Sequence, residues 1–331
     1  MLARMRCYNI PIFVPHYGCP HQCVFCNQHS ITGSAEPVSG RSAKKLVESY
    51  LKTLPKENAR IEAAFFGGSF TGIDPKLRRE LLLAVSPFLK RGEIQGIRLS
   101  TRPDYIDREV LEELLEFGVT TIELGVQSMN DEVLQASERG HSAGDVERAV
   151  SEIRKFPFSL GLQMMTGLPG DSWERSLETA RKLIAQKPDF VRIYPTLVLE
   201  GTRLCELWRC GAYQPQTLEE AVALCAELYE LFQKSEIPVI RIGLPETQGT
   251  LAGPVHAAFG ELVESACYQK RFLRMLSEQP EREPHFLVAK KELSKAIGNR
   301  QKNLLELSEK TGKRAEIRGS ERLLKGEIDF F

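Results

Sequence analysis

From residue 10 to about residue 243 the chain repeats one rhythm: a short apolar or β-branched run, a Gly-rich or polar turn, then an amphipathic stretch of ten to eighteen residues. Successive βα units carry that signature. The runs that read as strands are Ile10 to Val14, Glu62 to Phe66, Gly96 to Ser100, Thr121 to Val126, Ser159 to Met165, Phe190 to Pro195 and Pro238 to Leu244. Helical patterns lie between most of them, from Leu77, Asp107, Ser142 and Thr217, with apolar residues at three- and four-residue spacing and Ser, Thr or Asp in capping position. Parallel strands joined by helices cross over right-handedly, so six or seven such units curl into a whole or partial barrel or spread into an open doubly wound sheet. In either architecture the acting side chains stand at the C-terminal strand ends. That rule brings Cys19, Gly67, Ser100, Gln127 and Gly167 to one rim.

The segment Tyr17-Gly18-Cys19-Pro20-His21-Gln22-Cys23-Val24-Phe25-Cys26-Asn27 places three thiols within eight residues just beyond the first strand. A structural zinc ion takes four ligands, and His16, His21 or His29 would have to supply the fourth. An iron–sulfur cubane normally takes four cysteines, so three leave one iron open to a ligand that is not protein. The other cysteines, Cys7, Cys205, Cys210, Cys225 and Cys267, form no second tight cluster and read as buried free thiols. Eight cysteines in 331 residues are too few for a disulfide scaffold.

CxxxCxxC after the first strand, with Phe25 before the third cysteine, resembles the radical S-adenosylmethionine (SAM) superfamily. The resemblance implies that Cys19, Cys23 and Cys26 hold a [4Fe-4S] cluster whose open iron binds SAM, which is reductively cleaved to a 5′-deoxyadenosyl radical. Phe65-Phe66-Gly67-Gly68-Ser69-Phe70-Thr71-Gly72 is similar to the superfamily's Gly-Gly motif, with Ser69 where glutamate is more usual; it implies that Gly67, Gly68 and Ser69 meet the SAM amino group.

The segments Leu99 to Asp104, Glu123 to Ser128, Arg139 to His141, Gly161 to Gly170 and Val191 to Leu197 resemble, in combination, the radical SAM domain of the Elongator catalytic subunit over roughly residues 10 to 245. On that resemblance Gln127 and Arg139 match positions that hold the ribose and the methionine carboxylate. Ser100 and Gln163 stand where relatives carry glutamate and aspartate on the ribose side. The same resemblance implies a tRNA or other RNA base as substrate and a reducing partner such as flavodoxin or ferredoxin. A small-molecule substrate such as a tetrapyrrole, and a noncatalytic iron–sulfur RNA-binding protein, are the rival readings.

After Leu244 the rhythm breaks at a stretch rich in Gly, Pro and small residues, which reads as a linker or lid. The Elongator family's acetyltransferase domain is not expected in the roughly 85 residues that follow Leu244. Phe286 to Gly326 carries eleven Lys or Arg against five Asp or Glu, although the chain as a whole balances 44 basic against 44 acidic residues. Its order, strand, helix, a turn at Gly298-Asn299-Arg300-Gln301, helix, strand, weakly resembles the KH RNA-binding module, with Gln301 at the second glycine position of the GXXG loop.

The division expected is a radical SAM core over 1–250, a linker or lid over 251–285 and a small basic module over 286–331. The fold expected is α/β, a partial (β/α)6 TIM-like barrel with a small basic α/β C-terminal extension. No run of about eighteen apolar residues is present and the start MLARMRCYNIPIFVP lacks a signal peptide's long apolar stretch, so a cytoplasmic enzyme with no membrane partner is expected.

Overall fold

The computed structural model describes residues 6–14, 19, 22–27, 38–55, 57–244 and 249–331. His16, His21 and His29, with the start of the chain, lie outside them.

In chain order the elements are β1 (Arg6–Val14), α1 (Gly40–Leu51), β2 (Ala59–Gly67), α2 (Pro75–Lys90), β3 (Gly96–Thr101), α3 (Arg108–Glu116) and β4 (Thr121–Gln127). Then come α4 (Asp131–Ala136), α5 (Ala143–Ile153), β5 (Ser159–Thr166), α6 (Trp173–Ala185), β6 (Phe190–Pro195), β7 (Val198–Leu199), α7 (Arg203–Arg209), α8 (Leu218–Lys234) and β8 (Val239–Ile242). β9 (Thr250–Ala252), α9 (Phe259–Glu278), β10 (His285–Ala289), α10 (Leu293–Ile297), α11 (Lys302–Thr311), β11 (Glu316–Ser320) and β12 (Ile328–Phe330) follow.

All seven strands read from the sequence form, and they pair in parallel in the order β1-β2-β3-β4-β5-β6-β8 as a partial barrel. The central strands are buried on both faces, as a parallel sheet with helices on its outside requires; Ile61 to Phe65 and Thr121 to Leu124 are continuous buried runs. Helix starts follow local chemistry. Asp74 accepts from the backbone of Lys76 and Leu77 with Pro75 at the first position of α2, and Ser142 with Asp145, like Thr217 with Glu220, closes a capping box at α5 and α8. Phe65 stacks on Phe70 at 4.4 Å between ring centres inside the main core.

β7 and β9 pair antiparallel as a short lip on the rim. The stretch read as linker or lid contains α9, twenty residues long, whose Phe259, Val263 and Cys267 pack on the main core while Tyr268 and Phe272 enter a second one. That second core joins them to Phe286, Val288, Ala296, Leu307 and Ile317 beneath a three-stranded sheet of order β11-β10-β12. Gly298 sits at φ 82° between α10 and α11, where an added Cβ would lie 3.0 Å from Ser265 Oγ. Among the described residues no helix is long and apolar enough to cross a membrane.

Buried Asn303 ties this unit to α9: its Nδ2 donates to Ser265 O at 3.0 Å, Ser265 Oγ at 3.1 Å and Ala296 O at 2.9 Å. Asn303→Ala removes the tie to α9 and the donor to the buried Ala296 carbonyl near the end of α10, and is expected to lower stability by about 1–3 kcal/mol. Urea unfolding checks this, and a loss below about 0.5 kcal/mol, the usual size for a surface change, would contradict it.

Candidate active site

The strand ends converge on a cavity of about 400 Å³. Its lining includes Cys19, Cys23, Phe25 and Cys26 beyond β1, Gly67, Gly68 and Ser69 beyond β2, Ser100 on β3, Gln127 on β4, Arg139 after α4 and Gln163 on β5. The residues matched to cluster and cofactor binding on the resemblance therefore all line one space. Gly167 does not line it; the Asp171 carboxylate accepts from Gly167 N, Ser172 N and Ser176 Oγ, and the Gly167 carbonyl accepts from Tyr213 Oη at 2.6 Å, beside a neighbouring cleft.

The cysteine loop is braced by main chain from two other elements. Val24 N donates to Ser137 O at 3.2 Å, Leu204 N donates to Val24 O at 2.8 Å, and Asn27 Nδ2 donates to Glu200 O at 2.7 Å. Phe25 packs between Val24, Val198 and Leu204 on one side and Val133, Met165 and Leu168 on the other. Gly67 has a backbone reason to be glycine: at φ 113° an added Cβ would stand 2.5 Å from Val14 O, where the chain passes close to β1. Ser69 uses its hydroxyl internally, at 2.8 Å from Thr101 Oγ1, while its backbone N–H points at the Cys19 thiol.

Two buried arginines flank the thiols. Arg102 is paired with Asp104 through Nε and Nη2, both at 2.9 Å, and also donates to the Arg139 carbonyl. Arg139 is 6% exposed and forms no salt bridge among the described residues. Its Nη2 donates to Gly125 O at 2.6 Å and its Nη1 to Cys23 Sγ at 3.1 Å. Burial pushes the Cys19 thiol up, against the Ser69 N–H and the two guanidinium groups, which favour the thiolate.

Below the rim a second set of charges is fully matched. Glu123 is completely buried and accepts from Arg98 Nη1 at 2.6 Å, Arg192 Nε at 2.6 Å and Gln163 Nε2 at 3.0 Å. Burial alone would raise its pKa, yet Arg192 and Arg98 outweigh that and hold it below the usual carboxylate range. Arg192 on β6 forms an ion pair with Glu123, and Tyr194, two residues on, lines the cavity. Arg102, Asp104 and Glu123 were visible in the sequence only as parts of motifs, because nothing local announces which charges a parallel sheet will bring together.

An iron–sulfur group with three thiolate ligands and a small cationic cofactor bearing a carboxylate fit these residues. Three thiols share the cavity, a guanidinium without a carboxylate partner touches one of them, and four buried polar atoms around them have no partner among the described residues: Ser100 Oγ, Gln127 Oε1, Arg102 Nη1 and Arg139 Nε. Gln127 stands at φ 68°, beyond a register shift between β4 and β5, which is strain of the kind that binding sites retain. Among the described residues no three metal-ligating side chains are already drawn together at metal distance. Of the remaining cysteines, Cys205, Cys225 and Cys267 are buried as expected, but Cys7 and Cys210 are exposed, because one begins an edge strand and the other ends a short surface helix. Burial pushes the Cys225 and Cys267 thiols up to about 12, which leaves them unreactive.

His141, also buried, lies with Nε2 3.2 Å from Val126 O. Burial, then the charges of Arg139 and Arg102, lower its pKa to about 4. In the unfolded chain histidine titrates near 6.5, so between about pH 6.5 and about pH 4 the unfolded state binds the proton more readily and stability falls as pH falls. At 1.36 kcal/mol per unit the loss approaches roughly 3 kcal/mol, and above about pH 6.5 this group contributes no pH dependence. His141→Gln is expected to remove most of that acid-side loss in urea unfolding of the iron-free protein; an unchanged loss would contradict it.

Comparison with known proteins bears on these residues directly. Residues 13–183 match the Radical SAM superfamily and residues 188–269 a Radical_SAM C-terminal domain. An uncharacterized protein of Methanocaldococcus jannaschii is 30% identical over 239 residues, 69% of this chain and 72% of that one. The tRNA uridine(34) acetyltransferase of Methanocaldococcus infernus is 27% identical across 65% of this chain and 48% of its own length, and Elongator complex protein 3 of Saccharomyces cerevisiae is 29% identical across 66% and 47%. The chain thus spans about half the length of those two relatives. The fold is shared with the solved Methanocaldococcus infernus Elp3, at TM-score 0.61 and 23% identity over 83% of this chain and 64% of that chain. With the superfamily match alone running over more than half of its residues, the chain belongs to the radical SAM superfamily.

Proposed function

We propose that Cys19, Cys23 and Cys26 hold a [4Fe-4S] cluster with one iron open to SAM, and that the enzyme modifies a base in tRNA or another structured RNA. The observation that carries the first part is the shared cavity, where three thiols, a guanidinium with no carboxylate partner among the described residues and several polar atoms with no partner among them face one space. When bound, the cluster and SAM supply one-electron cleavage to a 5′-deoxyadenosyl radical that abstracts hydrogen from the substrate.

The protein's share is positioning. The Gly68-Ser69 turn sets main chain against the cofactor, Ser100, Gln127 and Gln163 offer polar groups to its adenosine half, and Arg139 Nε remains available for a carboxylate. Gln163 is held by Glu123, so its amide is oriented before any ligand arrives. Phe25 packs the cysteine loop and faces the cavity. An external low-potential reductant of the flavodoxin or ferredoxin class supplies the electron, in the cytoplasm.

The RNA substrate rests on the tRNA uridine(34) acetyltransferases and Elongator proteins to which this chain is similar. It is also supported by the C-terminal unit. We divide the chain into a core over 1–250, a connecting segment over 251–285 that contains α9, and a basic module over 286–331 that takes RNA backbone at its Gly298-Asn299-Arg300-Gln301 turn, where Arg300 and Gln301 adopt φ of 50° and 61°.

Cys23→Ala is expected to abolish the visible absorbance of the reconstituted protein and SAM cleavage together; retained cleavage would refute the ligand assignment. Anaerobic, reduced protein should form 5′-deoxyadenosine faster with intact tRNA than with the same RNA digested by ribonuclease. Equal rates would move the search to metabolites such as tetrapyrroles. Arg300→Glu with Lys302→Glu should weaken RNA binding and reduce its log–log salt slope by up to about 2. An unchanged slope removes the clamp.

A further inference from the structure

A buried charge without a counter-charge is costly unless something anionic completes it. Arg102 is completed by Asp104, and Arg98 and Arg192 by Glu62 and Glu123. Arg139 alone among the guanidinium groups around the thiols has no carboxylate among the described residues, and its one contact to an ionisable group is Nη1 donating to Cys23 Sγ at 3.1 Å. The geometry is braced from both sides. The Arg139 backbone N donates to Leu134 O at 3.0 Å, Arg102 donates to the Arg139 carbonyl, and Nη2 is anchored on Gly125 O at 2.6 Å. The same turn grips the cysteine loop a second time, through Ser137 O and Val24 N at 3.2 Å.

We infer that Arg139 is a positioning residue for electron entry: its fixed N–H···S bond to Cys23 raises the reduction potential of the iron–sulfur centre. This rests on the reading of Cys23 as a cluster ligand. Reduction adds one electron from the external low-potential reductant, with no bond made or broken at Cys23 and the guanidinium remaining protonated. The added negative charge spreads onto the thiolate sulfurs, and a donor aimed at one of them stabilises the reduced form more than the oxidised form. A second donor, the Ser69 N–H toward Cys19, acts in the same sense.

The test uses the full chain, reconstituted anaerobically without SAM, as parent, Arg139→Met and Arg139→Lys. Iron content and visible absorbance report the cluster, and a redox titration followed by electron paramagnetic resonance reports its potential. Arg139→Met should load iron like the parent but be reduced about tenfold less favourably, equivalent to about 59 mV for one electron. Arg139→Lys, which keeps the charge but loses the fixed fork, should fall between them and carries the test if the Met variant fails to fold. A parent that takes up no iron would bring down the Cys23 reading and this inference with it. Full loading with parental potentials in the variants would overturn the inference alone.

Discussion

Parallel pairing from β1 through to β8 forces every strand to end on the same edge of the sheet, and the chemistry of this chain follows from that constraint. Residues from 13 to 244 in the sequence meet around one cavity because most of them lie at or just past a strand end, with Arg139 brought in by the turn after α4. The register is tight enough that Gly67 must be glycine where β2 passes the last carbonyl of β1, and Glu123 on β4 reaches Arg98 on β3 and Arg192 on β6 at once.

Charge is distributed unevenly along the barrel axis, and the unevenness separates scaffold from site. The lower layer is matched: Glu62, Arg98, Glu123 and Arg192 satisfy one another in a network whose breakage would strand buried charge. At the rim the sum does not close. Among the described residues, Arg139 contributes a buried cation answered by a thiol and a carbonyl, and polar atoms of Ser100 and Gln127 are left without partners. A rim short of negative charge suits a thiolate-held cluster, whose net charge becomes more negative on reduction.

Much of this was legible in the sequence for definite reasons. The seven core strands are apolar runs bounded by turns, and the helices at Asp107, Ser142 and Thr217 begin where capping side chains stand, so period and caps agreed. α9 was read as linker or lid because its N-cap, Ala258, gives no side-chain signal and the Gly- and Pro-rich approach to it looks like a loop. That the cysteines, Gln127 and Arg139 meet at one cavity followed from their places near the strand ends and from the resemblance. The pairing of Arg192 with Glu123 was not legible, since pairing across a sheet depends on register rather than on neighbours in sequence, and neither were the roles of Arg102 and Asp104. The exposure of Cys7 and Cys210 was missed because composition says neither which strand is an edge nor which helix end faces solvent.

The central claim is that three cysteines leave one iron open for SAM beside the Arg139 wall. Electron paramagnetic resonance of the reduced, reconstituted protein before and after addition of SAM tests it most directly. The account predicts that SAM alters the spectrum of the parent, because a new ligand enters the coordination of one iron. A fully loaded, reduced cluster whose spectrum is indifferent to saturating SAM would contradict it.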